Sequence, residues 1–281
     1  MYSSGSLLSY TMLQLTQDMI NGLTMKQPIR FSLFIALMSI SLYSSAANPN
    51  ISIQYLKPLT QQEVTIQQVI KESDINDTLI TLSDHYFSFN KTVTIQYGST
   101  DGPLYDPNSH AIHIPYSFYQ ESLDYFSKNK YQERFNKSPQ LGALDTLLHT
   151  LLHESGHAFI ADQNIPVLGK EEDAVDNFAT ILLLNYVDNG DDIAISAADM
   201  FAFESENRPD YYDFGEYIDE HSFDLQRYFS TLCLVYGSDP EKQSNLLDEV
   251  ENDYLKDRKE FCEFQFESLS QNRDHYFKRS E

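Results

Sequence analysis

Residues 138–161 read SPQLGALDTLLHTLLHESGHAFIA, and both the fold and the chemistry turn on this run. Ser138-Pro139 is a helix start. A Ser hydroxyl at the N-cap accepts from an otherwise orphan amide of the first turn, and proline's fixed φ and missing N–H suit the first helical position. From there Leu144, Leu148, Leu151, Leu152 and Phe159 keep helical spacing to about residue 161. Residues four apart on a helix lie one above the other, so His153 and His157 point the same way. They can offer two imidazole nitrogens to one tetrahedral zinc. Glu154 sits beside them at an angle poor for ligation but suited to taking a proton from a zinc-activated water. That is the physical content of the H-E-x-x-H spacing, here His153-Glu154-Ser155-Gly156-His157. Gly156 leaves room on the helix for substrate or another segment to approach.

Outward from this helix, Glu171 to Val187 is predicted to be a second one, with Val175, Phe178 and Leu182 behind an acidic first turn that suits the helix dipole. Further helices are expected at about 195–206, 221–235, 241–254 and 258–275. Upstream, Ile51 to Leu56 is strand-like and a mixed polar stretch reads as helix up to about Phe87. Thr92 to Tyr97 alternates Val93, Ile95 and Tyr97 with polar residues, the pattern of a half-buried strand. Gly98 to Ser109 reads as loop and turn, and Ala111 to Ile114 as the next strand. The expected fold is α+β: one mostly helical domain, 48–281, with a small antiparallel sheet and an active-site helix.

Composition bounds the function. The chain has 281 residues, 41% hydrophobic and 13% aromatic, enough to bury a sizeable core. It carries 42 Asp+Glu against 19 Lys+Arg, a net charge of −23. Such a surface repels phosphate backbones and anionic bilayers, so neither nucleic acid nor a membrane surface is an expected partner.

The N-terminal region points to export. Met25 to Arg30 is short and basic, Phe31 to Tyr43 is mostly apolar, and Ser44-Ser45-Ala46-Ala47 follows. That order is the signature of a secretory signal peptide, with cleavage expected after Ala47. The apolar run falls short of the about 20 residues of a spanning helix. Residues 1–24 do not fit the plan, and Met25 is the expected true start. No cysteine sits at the cleavage site, so no lipid anchor and no stable membrane anchor are expected in the mature, periplasmic or secreted protein. Cys233 and Cys262 are the two cysteines. In an oxidising compartment they are expected to pair and tie two C-terminal helical segments together.

A catalytic zinc needs three protein ligands and one open position. Glu172 and Asp176 form an E-x-x-x-D pair that resembles the gluzincins, the thermolysin-like class of zinc peptidases. The resemblance implies a zincin-like fold with Glu172 as third ligand and Asp176 accepting a hydrogen bond from His153, which would fix that ring's tautomer. Glu171 and Asp173 are neighbouring alternatives, as is Asp176 itself, and Asp162 is a remote one. The interval from His157 to Glu172 is shorter than in thermolysin, so a tight turn is expected at Pro166 and Gly169. The metzincin pattern is not met, since Ile160 and Gln163 stand where its Gly and third His belong. His221, after a loop with Tyr211, Tyr212 and Tyr217, matches the late His or Tyr of that class that donates to the oxyanion. A structural network with Asp224 and Arg227 is its other reading. His149, one turn before His153, is expected to be buried or to support a ligand.

Longer stretches extend the likeness. His153 to Ala158, Gly169 to Asp176, Asp219 to Arg227, Tyr236 to Pro240 and the Cys262 segment occur in this order. Over about residues 90–265 the chain resembles a bacterial metallopeptidase family built on a domain of unknown function, gluzincin-like in its HExxH and ExxxD motifs. The expected activity is zinc-dependent hydrolysis of a peptide or protein substrate, with Glu154 as general base and the strand at Ala111 to Ile114 pairing with extended peptide. The rival is a non-catalytic exported protein that keeps zinc for interaction. Glu154 separates the two, because a purely structural site has no need of a base there.

Overall fold

The computed structural model describes residues 49–206, 212–250 and 252–277. The expected signal segment and Tyr211 lie outside the described residues. No helix among the described residues is long and apolar enough to cross a membrane.

The chain opens with strand β1 (Ile51–Tyr55), then helices α1 (Gln61–Glu72) and α2 (Ile75–Tyr86). The expected single helical stretch is thus two, the first capped by the Thr60 hydroxyl, which accepts from the Glu63 amide at 3.1 Å. Strands β2 (Val93–Tyr97), β3 (Leu104–Asp106) and β4 (Ala111–Ile114) follow and complete a sheet of order β1-β2-β4-β3. The sheet is mixed rather than antiparallel. Ile51 to Tyr55 pair with Val93 to Tyr97 in parallel, Ile95 pairs in parallel with Ile112, and only β3 runs antiparallel to β4, with Tyr105 opposite Ile112. The alternation of Val93, Ile95 and Tyr97, all buried, fixes which face packs inward but not strand direction. Direction follows from the connection: α1 and α2 form the crossover that parallel strands require. The Gly98 to Ser109 stretch, read as loop and turn for its turn residues, also holds the short strand β3.

The remaining elements are helical, as expected: α3 (Tyr116–Lys128), α4 (Tyr131–Phe135), α5 (Pro139–Gln163), α6 (Glu171–Tyr186), α7 (Gly190–Ser205), a 3₁₀ turn at Glu216–Ile218, α8 (Asp224–Ser238) and α9 (Asn252–Phe277). The Ser138 hydroxyl caps α5 through the Leu141 amide at 3.2 Å. Helix α5 touches α2, α3, α6, α7 and strands β3 and β4. Its middle is buried on every side, with Leu147, Leu151 and Leu152 fully enclosed, as befits a helix at the centre of a domain. It ends at Asn164, whose φ of 52° is the left-handed conformation that asparagine tolerates. Gly169, with φ of 122°, completes the expected tight connection into α6.

The helix expected at 241–254 is not one element. Residues 239–250 form successive turns closed by i→i+3 bonds such as Leu246 N–H to Gln243 C=O and Val250 N–H to Leu247 C=O. The Asp239 carboxylate accepts from the Lys242 amide at 3.0 Å. Asp239 competes with a helical ladder in this way. The expected disulfide joins Cys233 on α8 to Cys262 on α9, across a sequence separation of 29. Closing a loop of that length restricts the unfolded chain, so reduction is expected to lower stability by about 2–4 kcal/mol. Chemical denaturation with and without reductant measures this; identical midpoints would show that the bond contributes nothing.

Candidate metal centre

Helix α5 sets His153 and His157 one turn apart, and the first turn of α6 brings Glu172 across from them. His153 Nε2 lies 3.1 Å from Glu172 Oε2 and His157 Nε2 lies 3.3 Å from the same oxygen. One ligand atom from each of the three residues falls within 4.8 Å of the others, so the group could hold a metal ion. Two imidazoles and one carboxylate are the donor set of three-ligand catalytic zinc sites. A cleft of 660 Å³, lined by β3 residues Leu104 and Tyr105 among others, opens on all three side chains and on Glu154.

The approach of α6 to α5 depends on Gly156. A Cβ at that position would stand 2.9 Å from Val175 Cγ1 and 3.1 Å from Phe178 Cδ1. The room expected beside the motif is therefore used by α6 rather than left for substrate.

Each histidine is oriented through its far nitrogen. His153 Nδ1 meets Asp176 Oδ1 at 2.7 Å, as the E-x-x-x-D pair implied, and His157 Nδ1 meets Glu171 Oε1 at 2.8 Å. Asp176 is gripped in turn by Arg227 of α8, whose Nε and Nη2 donate to its two oxygens at 2.8 and 2.9 Å. The guanidinium also lies 3.9 Å from the centroid of the Phe201 ring. The other acids considered as third ligand have different partners. Glu171 holds His157, Asp173 accepts from the Ser222 hydroxyl at 2.7 Å, and Asp162 accepts from the Asn90 amide at 2.6 Å.

His221 belongs to the same cluster, with its Nε2 3.0 Å from Glu172 Oε2. It precedes α8 and is about half exposed. The Lys170 ammonium pins its carbonyl at 2.9 Å. Its ion-pair partners are Glu172 and Asp219; among the described residues no hydrogen bond joins its ring to the Asp224 and Arg227 of the alternative reading, although its charge is felt at Asp224. His149 is buried and bonds Thr180 Oγ1 at 3.3 Å, away from the convergence. No local sequence pattern marks these contacts of Arg227, Glu171 and Lys170; Arg227 and Asp176 are 51 residues apart.

The electrostatics follow from this geometry. Burial opposes charge on Glu172, yet hydrogen bonds from His153, His157 and His221 outweigh it and hold its carboxyl well below the usual range. Asp176 is likewise lowered, with burial overcome by His153 and Arg227. Burial disfavours the imidazolium of His153, but Asp176 and Glu172 prevail and push its pKa up to about 9. Burial pushes the Glu154 carboxyl up against the pull of both histidines. Burial also lowers His149, to about 4, so that ring is neutral at pH 7.

A pH dependence follows for the metal-free protein. His153 has a raised pKa, so its contribution is complete below the ordinary 6.5 and is lost as pH rises through about 9. The metal-free protein should therefore lose stability on the order of a few kcal/mol over that range, and a His153→Gln variant should lose most of the slope, with His157, whose burial is likewise outweighed by Glu172 and Glu171, keeping the remainder. Zinc affinity should rise over the same interval, because the ring must shed its proton to ligate. Thermal melts at stepped pH check the first expectation; a flat wild-type profile would refute it.

A family model described as "Putative metallopeptidase" (DUF4344) matches residues 55–277. With most of the chain matched, the protein belongs to that family. No curated protein and no solved structure matches it.

Proposed function

We propose that the protein is an exported zinc peptidase that hydrolyses peptide bonds, with His153, His157 and Glu172 as the ligands. The observation that carries this reading is the convergence of those three donor atoms beside a buried Glu154 at the floor of an open cleft. A zinc ion in this site supplies Lewis-acid polarisation of the scissile carbonyl and lowers the pKa of water toward about 7. Glu154, its basicity increased by burial, takes the proton of the attacking water and passes it to the leaving amine. His221, whose Nε2 lies at the same cluster, would donate to the oxyanion. Asp176, fixed by Arg227, holds His153 in the tautomer that presents Nε2 to the metal.

The strand expected to pair with substrate, Ala111 to Ile114, is interior to the sheet. Its neighbour β3 is an edge strand, and the one that borders the cleft. The unpaired side of β3 is thus the place for an extended peptide to add as a strand. Export rests on the signal-like N-terminal sequence, and the Cys233–Cys262 bond is consistent with an oxidising compartment.

Elemental analysis of the purified protein is the test. About one zinc per chain, lost in both His153→Ala and Glu172→Ala, supports the ligand set. A hydroxamate chelator should bind the zinc-loaded form, since only an open position admits it. Zinc retained by Glu172→Ala would move the third ligand elsewhere, and no zinc in any form would overturn the reading.

A further inference from the structure

A second cavity, of 160 Å³, shares Pro103, His153, Glu154 and His221 with the cleft and extends between α3, α5 and α7. Pockets for drug-sized ligands run to about 300–1,000 Å³, so this one is of side-chain size. Its walls include Phe118, Met200 and Phe201, with Thr146 and Glu204 among the polar residues. Thr146 is 5% exposed, and its hydroxyl has no hydrogen-bond partner. The Glu204 carboxylate has neither a hydrogen bond nor an ion pair among the described residues. Arg227 also lines the cavity, but its fork is engaged by Asp176.

Apolar walls with an unpaired carboxylate and an unpaired hydroxyl match one chemical shape, an aliphatic stem ending in a cation. We infer that this cavity is a specificity pocket for a basic side chain, Lys or Arg, next to the scissile bond, with Glu204 as counter-ion and Thr146 as acceptor. The assignment of a scissile bond rests on the peptidase reading; the pocket's affinity for a cation does not. The surroundings of Glu204 favour a cation further. Burial and the nearby charge of Asp224 press its pKa upward to about 7, partly offset by Arg227, so a bound ammonium or guanidinium relieves a destabilised carboxylate. Neutral ligands gain no such term.

Two probes differing only in charge test this on the zinc-loaded full chain: Nα-acetyl-lysine methylamide and its norleucine counterpart, which has the same carbon stem without the ammonium. Calorimetric or NMR titration should give at least about tenfold tighter binding of the lysine probe, the expected effect of a charged hydrogen bond. In Glu204→Gln the ratio should fall to within about twofold of unity. Thr146→Val, which replaces an unsatisfied hydroxyl with a methyl of similar size, should lower the ratio several-fold and provides a second variant if the first misfolds. Equal binding of the two probes, no saturable lysine binding, or an unchanged ratio in Glu204→Gln would overturn the inference. Glu204-dependent lysine binding without cleavage of any lysine-containing peptide would support the pocket and count against the peptidase reading instead.

Discussion

Replacing Glu154 with Gln is expected to lower peptide hydrolysis by about 10²–10⁴-fold, the usual range for loss of a positioned general base, while zinc content stays near that of the wild type. The reason lies in the division of labour on α5. His153 and His157 stand one turn apart and face Glu172, whereas Glu154 is one residue further round the helix and does not join the three-residue group. The amide keeps the size of the carboxylate but cannot accept the proton of an attacking water. Metal analysis and hydrolysis measured on the same preparation separate the outcomes. Loss of zinc along with activity would make Glu154 a determinant of the metal site. Full activity in Glu154→Gln would leave the base elsewhere in the cleft.

The second large effect concerns Arg227. Asp176 is 9% exposed and lies between His153 and the guanidinium. Arg227→Met keeps most of the side-chain volume but leaves that carboxylate buried without its bidentate partner. Breaking a buried ion pair from one side costs about 3–5 kcal/mol, which for a domain of this size is a fall in melting temperature on the order of 10 °C. Zinc affinity should drop by about 10–100-fold, as for other changes to groups that orient a metal-binding histidine. Differential scanning calorimetry and a competitive zinc titration report the two effects. An unchanged melting temperature would mean that Asp176 is stabilised without Arg227.

The legible parts of the molecule are those set by neighbours in sequence. The start of α5, its heptad-scale run of leucines and its pair of histidines are all local, and each is present in the structure as read. The acidic first turn of α6 was equally local, but choosing among its acids was not. Glu171, Glu172 and Asp173 are successive residues on one helical turn, so their directions differ by about 100° each. Which of them faces the histidines depends on how α6 is rotated against α5, a tertiary fact. The resemblance to gluzincins singled out Glu172, and the structure places its oxygen at the convergence. Strand direction was illegible for a related reason: alternation describes one strand, whereas parallel pairing reflects the path of α1 and α2. The turns at 239–250 went unseen because acids and leucines at helix-compatible spacing do not reveal that the Asp239 side chain binds the local backbone. The Arg227 fork and the two unpaired groups of the second cavity had no sequence signal, since nothing in a sequence marks a polar atom as lacking a partner.

In the five-letter signature on α5, the fourth letter is written as free to vary. In this architecture it is not. Position 156 is where α6 rests, and Val175 lies three residues after Glu172 on that helix. An alanine or larger residue there presses on the Val175 side chain, and any shift of α6 that relieves the pressure would also move Glu172 relative to the histidines. A lineage holding this helix pairing could therefore lose the convergence of His153, His157 and Glu172 through a residue outside that group, with every recognised letter of the signature intact. Scanning genomes for the five letters alone would count such a descendant as a functioning relative; requiring glycine in the fourth place would remove it.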